Sequence, residues 1–367
     1  MSRAPSFPAE DQSQRSGSQW RQAAVALLAV RCTQGFVFWG GGSRRFIYDP
    51  EKLDPGAHDW MATKFQSAMP GGILGTDRLI AFLLEHFWIL YPALIAFSAA
   101  ELVAGVALFA GLMTRLAALA TIVLSVGLML MFGWQGGTCL DEWTMASATL
   151  AMGTTLFIAG GGVPAVDNFL LQRRPSLAGR RWFAWAGGAL PLPLDPITFR
   201  RAGLACIAAV LAFNVGTYSY YRGSVVTPFH SGRVSPTVHH FSLSDGRLAP
   251  DGSVRFRIKL DGGTPDVPAH VLKAEVAAAD GRILETWDHL ALSRLPAEAI
   301  RNRFAYNRFA TGPYGLVARM GAEAVITLPR AADAPSAADF RAGGELRLTN
   351  VEGTQFTAKL AAADTAE

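Results

Sequence analysis

Five stretches of the chain combine length with a nearly unbroken run of apolar residues. They span residues 21–40, 87–112, 115–133, 144–160 and 202–218, and polar connections separate them. A helix needs roughly 20 apolar residues to cross the hydrocarbon core of a bilayer. The pattern therefore predicts an α-helical membrane protein, in which a four-helix transmembrane bundle is followed by a fifth span.

Beyond residue 219 the pattern changes to the two-residue alternation of β-strands. Segments such as VRFRIKL (254–260) and ELRLTN (345–350) alternate apolar with polar side chains, and Asp-Gly pairs, which favour tight turns, separate several segments. Short strands joined by such turns are typical of a β-sandwich. We therefore expect a C-terminal all-β domain with an immunoglobulin-like sandwich fold.

The two patterns divide the chain into four parts. The first 19 residues are rich in Ser, Gln and Pro, which predicts disorder. The expected parts are a disordered N-terminus (1–19), a four-helix membrane domain (20–172), a cytoplasmic linker (173–200) and a part (201–367) that joins the span 202–218 to an extracytoplasmic β domain at 219–367.

Composition and charge support a membrane location. Only 17% of the 367 residues are charged and the mean hydropathy is +0.23, whereas soluble domains carry about 25% charged residues. Lys and Arg lie before the first span, between the second and third, and between the fourth and fifth, and short segments with such residues face the cytoplasm. The connection after the first span runs against this rule, and we interpret its cations, Arg44, Arg45, Lys52, Lys64 and Arg78, as kept for function. We therefore expect a multi-pass protein of the cytoplasmic (inner) membrane, with a cytoplasmic N-terminus and a periplasmic C-terminal domain. Membrane lipid is the expected partner, and the net charge of +4 does not indicate nucleic-acid binding.

Two charged residues interrupt the apolar spans. Arg31 lies near the middle of the first predicted span, and Glu101 near the middle of the second. An ionisable side chain at mid-bilayer costs at least about 2.5 kcal/mol, so two opposite charges at matching depth are expected to pair. The sequence therefore predicts an Arg31–Glu101 ion pair inside the bundle. Two roles stay open for it: a structural clamp between helices, or a group that moves protons or holds a polar ligand.

The short connection GWQGGTCLDEW (133–143) carries the thiol with the clearest candidate chemistry. Cys139 lies there beside Asp141 and Glu142, whereas the other two cysteines lie within spans. Neighbouring carboxylates disfavour a reactive thiolate unless a cation lies close. Cys139 is therefore either a redox thiol or a loop residue without chemistry. The two carboxylates are equally compatible with capping the positive end of the following helix.

The sequence has no signature of a bound cofactor. It contains no C-x-x-C-H, no cysteine cluster for iron and sulfur, and no G-x-G-x-x-G that follows a strand. His239 and His240 point to opposite faces of a strand, which argues against a shared metal ion, and no metal site is expected. Redox chemistry would therefore depend on a diffusible or non-covalent electron carrier.

Longer motifs resemble known families. AELVAGVALFAGLMTRLAALATIVLS (100–125) resembles the signature of the DoxX/DoxD superfamily, and residues 42–72 together with 132–146 resemble DoxD itself. The segments at 213–232 and 239–245 resemble DoxA. The resemblance implies a DoxD–DoxA fusion related to thiosulfate:quinone oxidoreductase (TQO), in which DoxD is expected to be the large subunit.

What the resemblance implies is an enzyme that oxidises thiosulfate to tetrathionate and reduces a membrane quinone. Quinone is then a diffusible electron acceptor, and no covalent cofactor is expected. The candidate catalytic residues are Cys139, Glu101 and Arg31. The candidate substrate-binding residues are Arg44, Arg45, Lys52, Lys64, Asp141 and Glu142, and the candidate quinone-binding residues are Trp39, Trp134 and Trp143.

Each of these assignments has a simpler alternative. The cations near the membrane surface are also compatible with contacts to lipid head groups or to the acidic residues Asp141 and Glu142, and tryptophans also anchor a protein at the interface. The whole chain is likewise compatible with a non-catalytic membrane scaffold or accessory subunit for another sulfur or redox component. Formation of a homo-oligomer stays open.

Overall fold

The computed structural model describes residues 9–135, 142–223, 225, 238–265, 267–330 and 344–362. The chain forms two compact units, each built from several segments. The helical unit contains residues 1–58, 91–129 and 143–217, and the β unit contains residues 59–90, 130–142 and 218–367.

Long helices dominate the first two-thirds of the chain. They are α1 (Ala9–Ser43), α2 (Met61–Ala68), α3 (Thr76–Glu85), α4 (Phe87–Ala110), α5 (Thr114–Phe132), α6 (Glu142–Ala159), α7 (Val166–Arg173), α8 (Arg181–Ala186) and α9 (Pro196–Arg222). Residues 9–19, for which the sequence predicts disorder, belong to α1.

Four helices in the described part are long and apolar enough to cross a membrane. They cover Arg21–Tyr48, Phe87–Ala110, Thr114–Phe132 and Pro196–Arg222. Helix α6 covers most of the predicted span 144–160, but it begins with the charged Glu142 and is rich in Ser and Thr. The expectation of a multi-pass membrane protein is therefore confirmed, whereas a crossing by α6 stays a prediction.

Glycines set the register between α1 and α4. A Cβ atom on Gly42 would lie 2.5 Å from the Leu102 nitrogen, and a Cβ atom on Gly105 would lie 2.2 Å from the Trp39 nitrogen. Only glycine permits backbones to approach this closely, which is a common way for membrane helices to pack. The contacts run in opposite order along the two helices, so α1 and α4 are antiparallel.

Helix α1 widens at its C-terminal end. Residues Arg44–Tyr48 form a π-helical turn, which is closed by a hydrogen bond of 2.6 Å from the Asp49 nitrogen to the Arg44 carbonyl. Such widened turns are rare and are found mostly at functional sites.

A buried aspartate organises the start of α5. Asp167 Oδ1 accepts a hydrogen bond from the Met113 nitrogen at 2.8 Å, and its Oδ2 accepts from the Thr114 nitrogen at 3.1 Å and the Gly188 nitrogen at 2.7 Å. The Thr114 hydroxyl donates a further bond of 3.0 Å. Asp167 therefore joins α7 both to α5 and to the connection after α8.

Arg115 holds the same connection from the neighbouring position on α5. This side chain is 1% exposed. Its guanidinium donates to the carbonyl oxygens of Phe157 (3.0 Å), Ala184 (2.8 Å), Gly187 (2.7 Å) and Leu190 (2.8 Å). Arg115 thus holds part of the segment 173–200, whose role as a cytoplasmic linker stays a prediction.

Besides α2 and α3, the β unit contains a short helix, α10 (His289–Ser293), and ten strands in the part of the chain that the structure describes. The strands are β1 (His240–Leu248), β2 (Val254–Gly262), β3 (Ala269–Ala278), β4 (Ile283–Trp287), β5 (Ile300–Asn302), β6 (Phe309–Gly312), β7 (Gly315–Ala318), β8 (Glu323–Leu328), β9 (Gly344–Asn350) and β10 (Gln355–Ala362).

The strands form a nearly closed sheet around an apolar core. Their order is β5-β8-β2-β1-β10-β9-β3-β7-β6, and β4 lies outside this order and pairs with β3. Strands β1 and β10 are parallel, and the other pairs are antiparallel. Inward-facing side chains such as Phe256, Ile258 and Leu348 are buried. The all-β domain is confirmed, and its immunoglobulin-like character stays a prediction.

Helix α2 packs within the β unit through the buried side chain of Gln66, which pairs with the backbone of Asn307. Gln66 Nε2 donates to the Asn307 carbonyl at 2.8 Å and to the Gly321 carbonyl at 2.9 Å, and Gln66 Oε1 accepts from the Asn307 nitrogen at 2.8 Å. Beside this pair, the rings of Trp60 and Tyr306 meet edge to face at 4.8 Å, and burial raises the pKa of Tyr306. The segment 59–90 therefore docks on the loop before β6.

Candidate functional site

An ion pair lies inside the helical unit, between the widened turn after α1 and the middle of α4. The Arg45 guanidinium donates a hydrogen bond to Glu101 Oε2, and the two side chains are 16% and 6% exposed. The guanidinium also lies 5.3 Å from the centroid of the Phe97 ring, one turn earlier on α4. A cation over an aromatic face gains a further electrostatic attraction.

The predicted Arg31–Glu101 pair is wrong. Arg31 instead donates hydrogen bonds of 2.6 Å to the carbonyl oxygens of Gly161 and Pro164. The glycine contacts place Glu101 opposite Gly41, where a Cβ atom would lie 3.2 Å from Glu101 Oε2. Because a helix rises about 1.5 Å per residue, Arg31 lies several turns away from that level.

The environment of the Arg45–Glu101 pair makes each charge depend on the other. Two charges taken out of water together are tolerated when they are paired and hydrogen-bonded, whereas one left alone costs about 3–5 kcal/mol. Gly41 contributes by leaving room for the carboxylate beside α1. The helical unit therefore holds the Glu101 carboxylate in apolar surroundings. Protonation of this carboxylate would leave the charge of Arg45 without its partner.

The other predicted cations of the first connection have separate environments. Arg44 is exposed on the same turn as Arg45. Lys52 pairs locally with Asp49, with 2.9 Å between Nζ and Oδ2. Arg44 and Arg45 therefore share one turn, on which Arg44 is exposed and Arg45 faces Glu101. Lys52 lies outside this turn.

Lys64 and Glu142 form a pair of their own within the β unit. The Lys64 Nζ lies 2.9 Å from Glu142 Oε1 and 5.7 Å from the centroid of the Phe132 ring. Glu142 also occupies the first turn of α6, where a negative charge favours the positive end of the helix dipole. For these two residues the geometry matches the simpler alternative of a structural contact.

The three candidate quinone-binding tryptophans have different surroundings. Trp134 is fully buried, and its Nε1 donates to the Ala68 carbonyl at 2.8 Å. Trp143 Nε1 donates to the Thr217 hydroxyl at 3.0 Å. Trp39 lies among aromatic rings, with Phe36 at 6.0 Å and Tyr48 at 6.3 Å between centroids.

Sequence reasoning missed a polar group inside the helical unit. Gln34 is 0% exposed, and its Nε2 donates to the Thr149 carbonyl at 2.9 Å. The hydroxyls of Ser125 and Thr149 lie 2.8 Å apart. Gln34 Oε1 is buried and has no hydrogen-bond partner among the described residues. The signal in the sequence is Gln34 itself, a polar residue within the apolar run 21–40.

Two predicted site residues, Cys139 and Asp141, lie outside the described residues. The two histidines of the β unit make separate contacts: His239 Nδ1 lies 2.8 Å from Glu352 Oε1, and His240 Nδ1 lies 2.5 Å from Asp261 Oδ1. Within the described ranges, no three His, Cys, Asp or Glu side chains form a group that could hold a metal ion.

Several apolar helices followed by an all-β domain define a multi-pass membrane protein with a C-terminal β extension. Residues 26–192 match the family model described as TQO small subunit DoxD, and residues 221–359 match the model described as TQO small subunit DoxA. The chain therefore belongs to these two families, joined in tandem as a DoxD–DoxA fusion. Both descriptions name a small subunit, which corrects the expectation that DoxD is the large one. The chain is thus a membrane protein related to thiosulfate:quinone oxidoreductase.

Proposed function

We propose that this protein oxidises thiosulfate and transfers the electrons to a membrane quinone. Two thiosulfate dianions form one tetrathionate by making a bond between their terminal sulfur atoms, and two electrons are released. One quinone takes up these two electrons and two protons and becomes quinol. The single observation that carries the proposal, beside the family, is the buried Arg45–Glu101 pair with Arg44 exposed on the same turn.

Arg44 and Arg45 supply the anion-binding part of the proposal. A guanidinium offers several donors in a plane, which suits the oxygen atoms of a sulfonate group. Arg44 is exposed and can meet an ion from solvent, while Arg45 is held below it by Glu101. Positive charge on one helical turn lowers the cost of bringing a dianion to an apolar surface.

Glu101 supplies the proton-handling part. Quinone reduction needs two protons at a site that excludes bulk water, and a buried carboxylate is a suitable carrier. When Glu101 takes up a proton, Arg45 loses its counter-charge, and binding of an anion nearby would compensate for that loss. Proton uptake and anion binding are thereby linked through one ion pair.

The quinone is assigned to the surroundings of Trp39. Its neighbours provide aromatic surface: Phe36 on α1 and Tyr48 at the end of the widened turn. Trp134 and Trp143 use their ring nitrogens in structural hydrogen bonds, so we assign them to packing. Arg31 is likewise assigned to packing, because its guanidinium binds two backbone carbonyls. Cys139 stays the candidate for a sulfur-linked intermediate on the strength of the sequence alone.

The orientation of the chain belongs to the same proposal. The Lys and Arg pattern places the N-terminus in the cytoplasm and the β domain on the outer side of the inner membrane. The structure brings together segments that this orientation puts on one side, since the Ile73 nitrogen donates to the Leu130 carbonyl at 3.2 Å. Thiosulfate would then reach the protein from the outer side.

The test uses the purified full chain in detergent with thiosulfate and a short-chain quinone. We expect tetrathionate and quinol in a one-to-one ratio. Glu101→Gln is expected to lower kcat about 100-fold, as for loss of an acid–base group, while Arg44→Gln raises the KM for thiosulfate. The matched controls are Glu51→Gln and Arg78→Gln, which change exposed residues.

Three results would overturn these assignments. Full activity of the Glu101→Gln variant removes the carboxylate from proton handling and leaves the pair as a clamp. Folded protein that forms no tetrathionate removes the enzymatic proposal and favours the scaffold or accessory role. Full activity of Cys139→Ser excludes a sulfur-linked intermediate on that thiol.

A further inference from the structure

Two arginines face each other on the outer surface of the β unit. Arg247 of β1 and Arg255 of β2 are directly opposite in the antiparallel pair, and both side chains are exposed. Like charges in this arrangement repel each other and destabilise a sheet. Neither guanidinium has an acidic partner in the part of the chain that the structure describes.

The nearby carboxylates are already used by other arginines. Arg257, the next outward-facing residue on β2, lies 3.0 Å from Asp245 Oδ2 and 3.0 Å from Glu323 Oε1. Glu323 also binds Arg303, with 3.1 Å between Oε2 and Nη1. These hydrogen bonds raise the pKa of Arg257, so it remains a cation. The excess positive charge is therefore concentrated at Arg247 and Arg255.

A cavity lies at this position. It has a volume of about 290 Å³ and is lined by Asp245, Arg247, Arg255, Phe256, Arg257 and Val325. That size is near the lower end for sites that bind small molecules, about 300–1,000 Å³. Three of its six lining residues are arginines, which makes it suitable for an anion rather than for an apolar ligand.

An irregularity in β1 shapes the cavity. The register of the β1–β2 pair shifts between Ser244 and Arg247, and Asp245 has a φ of 53°, a left-handed conformation that side chains other than Gly adopt rarely. Such bulges redirect side chains and occur next to functional sites. Here the bulge places Asp245 where it binds Arg257 and leaves the other two arginines available.

We propose that Arg247 and Arg255 form a binding site for a small divalent oxoanion on the β unit. An oxoanion between the two guanidiniums removes their repulsion and accepts charge-assisted hydrogen bonds from both. Arg257 adds a third positive charge at the wall of the cavity, where its ion pairs with Asp245 and Glu323 hold its side chain in place. This site belongs to the β unit and does not involve the Arg44–Arg45 turn.

The test measures sulfate and thiosulfate binding to the full chain, by calorimetry and by the shift in Tm, in neutral detergent without anionic lipid. Sulfate is not oxidised, so its binding is independent of the proposed function. The variant Arg247→Gln/Arg255→Gln is expected to weaken sulfate binding about tenfold or more. Arg282→Gln, which changes an exposed arginine on the β3–β4 hairpin, is the matched control and should bind as the original protein does.

A second measurement separates loss of the site from loss of folding. Without sulfate, the double variant is expected to have an unchanged or higher Tm, because the repulsion is gone, and added sulfate should no longer raise it. Equal sulfate binding by the original protein and the double variant overturns the proposal, and so does an equal loss in Arg282→Gln. Binding of phosphatidylglycerol micelles without binding of sulfate would make the surface a lipid contact and also overturns it.

Discussion

Arg45 donates a hydrogen bond to the Glu101 carboxylate and so joins the widened turn after α1 to the middle of α4. Both charges are largely shielded from water, because the side chains are only 16% and 6% exposed. The pair therefore acts as one electrostatic unit, in which changing one member exposes the full cost of burying the other. Its position beside Gly41 and above Phe97 depends on the close packing of α1 on α4.

The first prediction concerns the stability of this pair. Arg45→Gln and Glu101→Gln should each destabilise the helical unit by about 3–5 kcal/mol, since each leaves a buried unpaired charge. The double variant Arg45→Gln/Glu101→Gln should be more stable than the sum of the two losses implies. Unfolding of the detergent-solubilised protein measures this, with Lys52→Gln as a control at a surface pair worth about 0–1 kcal/mol. Purely additive losses would contradict the pairing.

The second prediction concerns helix register. Gly105→Ala should destabilise the protein by about 1–3 kcal/mol, because the new methyl group would lie 2.2 Å from the Trp39 nitrogen and force the helices apart. Gly40→Ala is the matched control, since nothing lies within 4 Å of a Cβ atom there. The change in Tm of each variant is the measurement. Equal tolerance of both substitutions would show that α1 and α4 do not pack through Gly105.

The third prediction concerns Asp167. Asp167→Asn should cost about 1–3 kcal/mol, because Asn keeps only one acceptor oxygen and cannot accept both the Met113 bond at Oδ1 and the Thr114 and Gly188 bonds at Oδ2. Asp195→Asn is the control, since this exposed residue accepts hydrogen bonds of 3.0 Å from the Ile197 and Thr198 nitrogens at the start of α9, where Asn is as favourable as Asp. Proteolysis of the connection after α8 should become faster only in Asp167→Asn.

The fourth prediction concerns the docking of α2 in the β unit. Gln66→Ala removes the hydrogen bonds of the Gln66 side chain to the Asn307 backbone. Asn307→Ala removes those that its side chain donates to the Thr63 carbonyl and the Ser67 hydroxyl on the same part of α2. A double-mutant cycle should therefore give a coupling of about 0.5–3 kcal/mol. The control cycle pairs Gln66→Ala with Asn350→Ala, because Asn350 bonds instead to Thr354 in the turn between β9 and β10. Coupling of the same size in both cycles would contradict a direct Gln66–Asn307 contact.

The candidate site could be predicted only in part. The sequence identified Arg31 and Glu101 as charges that need an explanation, because an apolar run makes any charge conspicuous, whereas Arg45 was only a candidate substrate-binding residue outside the predicted spans. It paired the wrong two, because depth was estimated from the predicted span ends and α1 in fact extends from Ala9 to Ser43. The spacing of Gly35 and Gly42 on α1 and of Glu101 and Gly105 on α4 contained the missing register, since glycines mark the closest approach of helices.

What the sequence determined by itself is the division into apolar helices and an alternating β region, because burial in lipid and burial in a sheet each impose a periodicity on consecutive residues. The tertiary structure decided which distant residues meet: Arg45 with Glu101, Asp167 with Thr114, and Gln66 with Asn307. It also decided that Arg247 and Arg255 lie opposite each other on neighbouring strands. Such pairings depend on helix register and strand order, and these follow from the packing of the whole chain rather than from any local pattern.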